Sequence, residues 1–227
     1  MLTFGSLFAG IGGLDLGLER AGMECRWQVE IDAYARRVLA KHWPDVRRWD
    51  DICTFPPDGD WDVDLICAGV PCQDISYAGK GAGLDGERSG LFWEAMRVVR
   101  VVGPRYVLLE NVAALLDRGA GMDQVLGSLA EMGYDAQWSV LSACQFGAPH
   151  TRERVFLIAY PSSHGWTRWW DFGSAQKTLD FSRLGDEHRR SWSFESRPVG
   201  VGYGIPDRVD RLRVSGNAVV PSIAEYI

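Results

Sequence analysis

The first twenty-one residues restrict the possible folds more than any other stretch. Leu2-Thr3-Phe4-Gly5-Ser6-Leu7-Phe8 reads as a strand, Ala9-Gly10-Ile11-Gly12-Gly13 as a tight glycine turn, and Leu14 through Ala21 as a helix. A strand that turns directly into a helix is the opening unit of an open α/β sheet. Glycines at 10, 12 and 13 let the backbone approach a ligand closely, and the helix's free N–H groups face the crevice at the strand end. A carboxylate or phosphate suits that position. By itself, the turn is equally a plain strand-to-helix connection.

The alternation continues along the chain. Arg26–Glu30 reads as a second strand and ends in an acid about 20 residues after the glycine turn, where nucleotide-binding folds place a ribose-binding carboxylate. Asp32 to His42 has helical spacing, with Ala33, Ala35, Val38 and Leu39 toward the sheet. Asp50-Asp51-Ile52 ends a third strand, and Asp64–Ala68 is a fourth that Pro71 prevents from continuing. Cys72 therefore stands at a strand's carboxyl end, the ligand-binding side of an open α/β sheet. Gly79, Gly81, Gly83, Gly86 and Gly90 follow it, as in a loop that moves over a substrate. Cys72 is then either a reactive thiol or a small buried hydrophobe.

Gly90–Val102 is a helix, and Arg105–Val112 a fifth strand ending in Glu110 and Asn111. An acid there is partly desolvated, which raises its pKa, unless it only caps a turn. Met122–Met132 is a further helix. Ala136–Cys144 and Val155–Ala159 are two successive strands, hence a hairpin and one antiparallel edge strand on a mostly parallel sheet. Between them, Arg152 and Arg154 point to one side if the segment is extended, where they can hold a phosphate or a base carbonyl or form a surface cluster with Glu153.

Bulk properties narrow the class. At 227 residues there is room for one α/β domain and a small appendage. No apolar run of about 18 residues and no charged-then-apolar leader occur, so the expectation is a cytoplasmic protein without a membrane partner. Five cysteines at 25, 53, 67, 72 and 144 and four scattered histidines have no metal-ligand spacing, so no metal is expected. The net charge is −6. Residues 1–163 hold 15 Lys and Arg against 22 Asp and Glu, whereas 164–227 hold 9 against 8. In that less acidic part, Trp166, Trp169, Trp170, Phe172, Phe181, Trp192 and Phe194 interleave with Arg168, Lys177, Arg183, Arg189, Arg190 and Arg197. Such interleaving suits stacking and phosphate contact with nucleic acid, and equally a small aromatic domain.

Together the segments resemble the cytosine-C5 DNA methyltransferases. The resemblance rests on Phe8-Ala9-Gly10-Ile11-Gly12-Gly13, Glu30, Asp51-Ile52, Pro71-Cys72-Gln73, Leu91-Phe92, Glu110-Asn111-Val112, Arg152-Glu153-Arg154 and Gly216-Asn217-Ala218-Val219, in the family's own order. It implies a Rossmann-like methyltransferase fold and S-adenosylmethionine as cofactor. Phe8, Gly10 and Gly12 would surround the cofactor. Glu30, with Ile31 beside it, would bind the ribose, Asp51 and Ile52 the adenine, and Leu91, Asn217 and Val219 would complete the pocket. Cys72 would add to cytosine C6, and Glu110 would hydrogen-bond N3 and the exocyclic amine. Arg152 and Arg154 would help hold the base, and Pro71, Gln73 and Ser76 would face the substrate. The partner implied is double-stranded DNA with its target base flipped out, bound by a monomer.

The implied organisation is a catalytic and cofactor-binding domain over 1–161, a target-recognition segment over 162–206 and a return to the catalytic domain over 207–227. Two features depart from the family: His150 stands where glutamine is usual, and the recognition segment is short beside an ordinary domain of about 100 residues. The chain also has only six residues after Pro221 for its last helix. The short segment leaves two other readings, a tRNA cytosine methyltransferase and a non-catalytic subunit whose recognition surface comes from a partner. A nicotinamide-linked oxidoreductase fits less well, because its glycine fingerprint has different spacing.

Overall fold

The structure, a computed structural model, describes residues 1–56, 60–71, 90–148, 150–164 and 218–227. Cys72, Gln73, Ser76, Asn217 and all but the first three residues of the expected recognition segment lie outside these. The elements are β1 (Thr3–Leu7), α1 (Gly13–Arg20), β2 (Glu24–Val29), α2 (Ala33–His42), β3 (Arg47–Trp49), β4 (Leu65–Gly69), α3 (Gly90–Val102), β5 (Tyr106–Val112), α4 (Met122–Glu131), β6 (Tyr134–Ser142), β7 (Glu153–Pro161) and α5 (Pro221–Tyr226). No helix among the described residues is long and apolar enough to cross a membrane.

Among the described residues, seven strands form one sheet in the order β3-β2-β1-β4-β5-β7-β6. The order reverses between β1 and β4, which opens a crevice beyond their carboxyl ends. The strands from β3 to β5 are mutually parallel, and β7 runs antiparallel to both of its neighbours. The expected antiparallel strand is thus present, but one place in from the edge. Burial explains the placement. Val155–Ala159 is buried along its whole length, as an interior strand requires, whereas β6 buries only Leu141 and exposes Trp138.

The core lies on both faces of the sheet. On one, α3 buries Phe92, Ala95, Met96, Val98 and Val99, the stripe that its spacing predicts. On the other, Leu14 and Leu18 of α1 pack with Phe4, Cys25 and Ile223. Helix α5 lies so close to α1 that a side chain at Gly13 would meet the backbone of Val219, and one at Gly17 would meet Ala224 and the Pro221 carbonyl. Glycine is required there for close helix packing.

The expected third strand ends earlier than its sequence implied. β3 stops at Trp49, and Asp51 turns the chain by accepting from the Cys53 N–H at 2.9 Å, so Ile52–Thr54 is a 3₁₀ turn. A short polar side chain that bonds its own backbone competes with the strand ladder.

Candidate active site

At the end of β1 the chain leaves the extended region: Phe8 has φ 54°, Gly10 57° and Gly12 85°, and Gly12 caps α1. A non-glycine residue at positive φ is strained, and such strain collects at ligand sites. A side chain added at Gly10 would meet no atom of the described residues within 4 Å, which leaves open space among them above this turn.

Glu30 closes the next strand end. Its Oε2 accepts from the Gly10 N–H and its Oε1 from the Asp32 N–H, both at 2.7 Å. One carboxylate thereby ties the glycine turn to the start of α2, and its remaining lone pairs are free in number to take hydroxyl donors. Ile31 beside it is 71% exposed, an apolar surface at the crevice rim. Asp51 caps its turn as described. The Ile52 side chain is buried in the core, which leaves only its backbone for a ligand. Leu91 and Phe8 are partly buried against the same core cluster, and Val219 packs against the α1 side.

The catalytic candidates gather on the other side of the switch point. Glu110 is 8% exposed near the end of β5, level with Gly69 on β4 and Phe156 on β7. Burial pushes its carboxyl above the ordinary range, while Arg154 and then Arg152 pull in the opposite direction. Arg154 Nε lies 3.2 Å from Glu110 Oε1, and Arg154 Nη1 donates to the Glu153 carbonyl at 2.7 Å. Arg152 has φ 28°; burial first and Arg154 second pull its pKa down, and Glu110 opposes them. The segment is therefore not extended at Arg152, yet both guanidinium groups act on Glu110. Gly69 stands between the two halves of the site: a side chain there would lie 3.6 Å from Glu110 Oε2 and 3.9 Å from the Phe8 carbonyl oxygen. Pro71 is exposed just beyond it.

The structure thus brings together Phe8, Gly10, Gly12, Glu30 and Ile31 at one strand-end crevice, and Glu110, Arg152 and Arg154 at its neighbour. Two residues escaped the sequence reading. Asp15 is wholly buried and accepts from Ser6 Oγ at 2.9 Å and Gln28 Nε2 at 2.8 Å, which pins α1 to β1 and β2. Arg97 reaches from α3 to the 3₁₀ turn. A polar residue on the sheet side of a helix was the available signal for Asp15; the i, i+3 pair Glu94–Arg97 was the signal for Arg97.

The fold and its strand-end crevice are those of the Rossmann-like methyltransferases. Residues 2–189 match the family described as C-5 cytosine-specific DNA methylase, and the chain belongs to that family. It is 39% identical over 160 residues to the type II methyltransferase M2.BsuMI of Bacillus subtilis, covering 68% of this chain and 41% of that protein. With M.HhaI of Haemophilus parahaemolyticus it shares 37% identity over 161 residues, 70% of this chain and 49% of the relative. The chain therefore spans about half or less of the length of these two relatives. The crystal structure of S. pombe Dnmt2 methyltransferase superposes with a TM-score of 0.66 at 22% identity, over 82% of this chain and 58% of that one, and shows the shared fold.

Proposed function

We propose that this chain transfers a methyl group from S-adenosylmethionine to C5 of a flipped cytosine in double-stranded DNA, with Cys72 as the nucleophile toward C6. The observation that carries the proposal is the buried Glu110, level with Gly69 in the sheet register, paired with Arg154 and influenced by Arg152. Cys72 follows Gly69 by three residues.

The residues at the first crevice fit the cofactor. The open space above Gly10 accepts a backbone-hugging group, Glu30 has acceptors for two ribose hydroxyls, and Ile31 offers an apolar face. Bound there, S-adenosylmethionine supplies an electrophilic methyl group. Asp51 and Ile52 would hold its adenine, and Leu91, Asn217 and Val219 would complete the pocket.

The protein's part in the reaction follows from cytosine chemistry. C5 is a poor nucleophile until a thiolate adds to C6 and leaves the ring electron-rich at C5. Cys72 makes that bond. Glu110, kept protonated to higher pH by burial, donates to N3 and accepts from the exocyclic amine as negative charge develops on the ring. Arg154 and Arg152 hold the base and restrain Glu110. After methylation, loss of the C5 proton to a base drives the electron pair into the ring and expels the Cys72 thiolate. The base is accessible only when flipped, which costs a few kcal/mol; Pro71, Gln73 and Ser76 would face it.

The test is incubation of the protein with labelled S-adenosylmethionine and unmethylated DNA, with a 5-fluorocytosine duplex as a covalent trap. Label in DNA and a trapped adduct, both abolished by Cys72→Ser, are expected. Cofactor binding without transfer to any DNA would refute the activity.

A further inference from the structure

We propose that Arg97 is a positioning residue that holds the adenine end of the cofactor site, an inference that rests on the cofactor reading above. Three bonds converge on one guanidinium. Nη2 donates to the Ile52 carbonyl at 2.7 Å, Nη1 to the Phe55 carbonyl at 3.2 Å, and Nε to Glu94 Oε2 at 2.7 Å. The first two acceptors bracket the 3₁₀ turn Ile52–Thr54, which starts from Asp51. The third lies on α3, which also carries Leu91.

The turn has little regular structure to hold it. Its own bonds are the Cys53 N–H to Asp51 Oδ1, the Thr54 N–H and hydroxyl to the Asp51 carbonyl, and the Phe55 N–H to the Ile52 carbonyl. Trp49 Nε1 adds a bond to Thr54 Oγ1 at 3.0 Å from the β3 side. The planar, forked cation adds a second donor to the Ile52 carbonyl, which already accepts from the Phe55 N–H, and takes up the Phe55 carbonyl beyond the turn, in one fixed geometry. Arg97 thus ties the Asp51–Ile52 turn to the N-terminal half of α3, the helix that carries Leu91 in its first turn. Glu94 orients the fork. A lysine can keep the pair with Glu94 but presents a point charge, and it cannot span both carbonyls.

Binding of S-adenosylhomocysteine to the full chain, measured by calorimetry, tests this alongside amide hydrogen exchange of the ligand-free protein. For Arg97→Lys the dissociation constant is expected to rise roughly tenfold, a change equal to one lost charged hydrogen bond. Amides 53–55 should exchange faster in that variant while those of β4 and β5 remain protected. KM for S-adenosylmethionine should rise with kcat at saturation nearly unchanged. Glu94→Gln, which loosens the fork without touching the turn, should give a smaller shift of the same sign. Unchanged affinity and unchanged exchange at 53–55 in Arg97→Lys would overturn the proposal, as would kcat and thermal stability falling together with no KM shift. A wild-type protein that binds no S-adenosylhomocysteine would instead overturn the cofactor reading, a separate outcome.

Discussion

Arg154 and Glu110 meet across two antiparallel strands, Nε to Oε1 at 3.2 Å, although they lie 44 positions apart in the chain. Both side chains are largely buried, so the pair lies where a charge without a partner is costly. Arg154→Met should raise the pH at which Glu110 ionises. The stability lost should be small at low pH, where Glu110 is protonated, and should grow as pH rises through its titration, toward about 3–5 kcal/mol. Carbon-13 NMR of the Glu110 carboxyl and denaturant unfolding across pH check both effects.

Replacing Glu110 itself separates chemistry from binding. Glu110→Gln keeps a donor and an acceptor but cannot change protonation, and methyl transfer should fall by roughly 10²–10⁴-fold. Single-turnover assays should show the loss in the chemical step, with S-adenosylhomocysteine affinity unaltered.

Glu30 makes two backbone bonds through its two oxygens. Glu30→Gln turns an NH₂ toward either Gly10 or Asp32, where an N–H already points, and one bond becomes a repulsion. Cofactor affinity should weaken by roughly 10- to 100-fold, or about 1.4–2.8 kcal/mol, as read by calorimetry.

Asp15 predicts a pH dependence of stability in the opposite direction to that of most surface acids. Desolvation raises its pKa from 3.8 to about 6, despite the bonds from Gln28 and Ser6. A raised folded-state pKa means that the folded protein binds the proton more tightly than the unfolded chain. Its contribution is therefore complete below about pH 4 and is lost as pH rises through 6, about 3 kcal/mol in all. In Asp15→Asn, Oδ1 still accepts from Gln28 and Nδ2 donates to Ser6 Oγ, so urea unfolding between pH 4 and 6 should lose the Asp15 share of the decline while the contribution of Glu110 remains.

Gly17 lies under α5. Gly17→Ala places a methyl group against Ala224 and the Pro221 carbonyl, closer than side chains approach one another. Overpacking of that kind costs about 1–3 kcal/mol, visible as a lower Tm.

Local signals carried much of the fold. Leu65–Gly69 and Gly90–Val102 were legible because an apolar run bounded by breakers and a 3.6-residue stripe state their own type. Glu30 and Glu110 were legible as candidates at strand ends, since an open sheet gathers those ends at one edge. The β3 boundary was not, because whether Asp51 extends a strand or caps a turn depends on what its neighbours bond.

By itself, then, the sequence determined the strand-turn-helix alternation, the acid at Glu30, the order of motifs and hence the family. The tertiary structure decided what depends on pairing between distant segments. It placed β7 inside the sheet rather than at its edge, set the register that aims Arg154 at Glu110, buried Asp15 between Ser6 and Gln28, and brought Arg97 to the carbonyls of the Asp51 turn. Periodicity reports which face of an element is apolar, but a hydrogen bond between residues 45 positions apart exists only once the elements have packed.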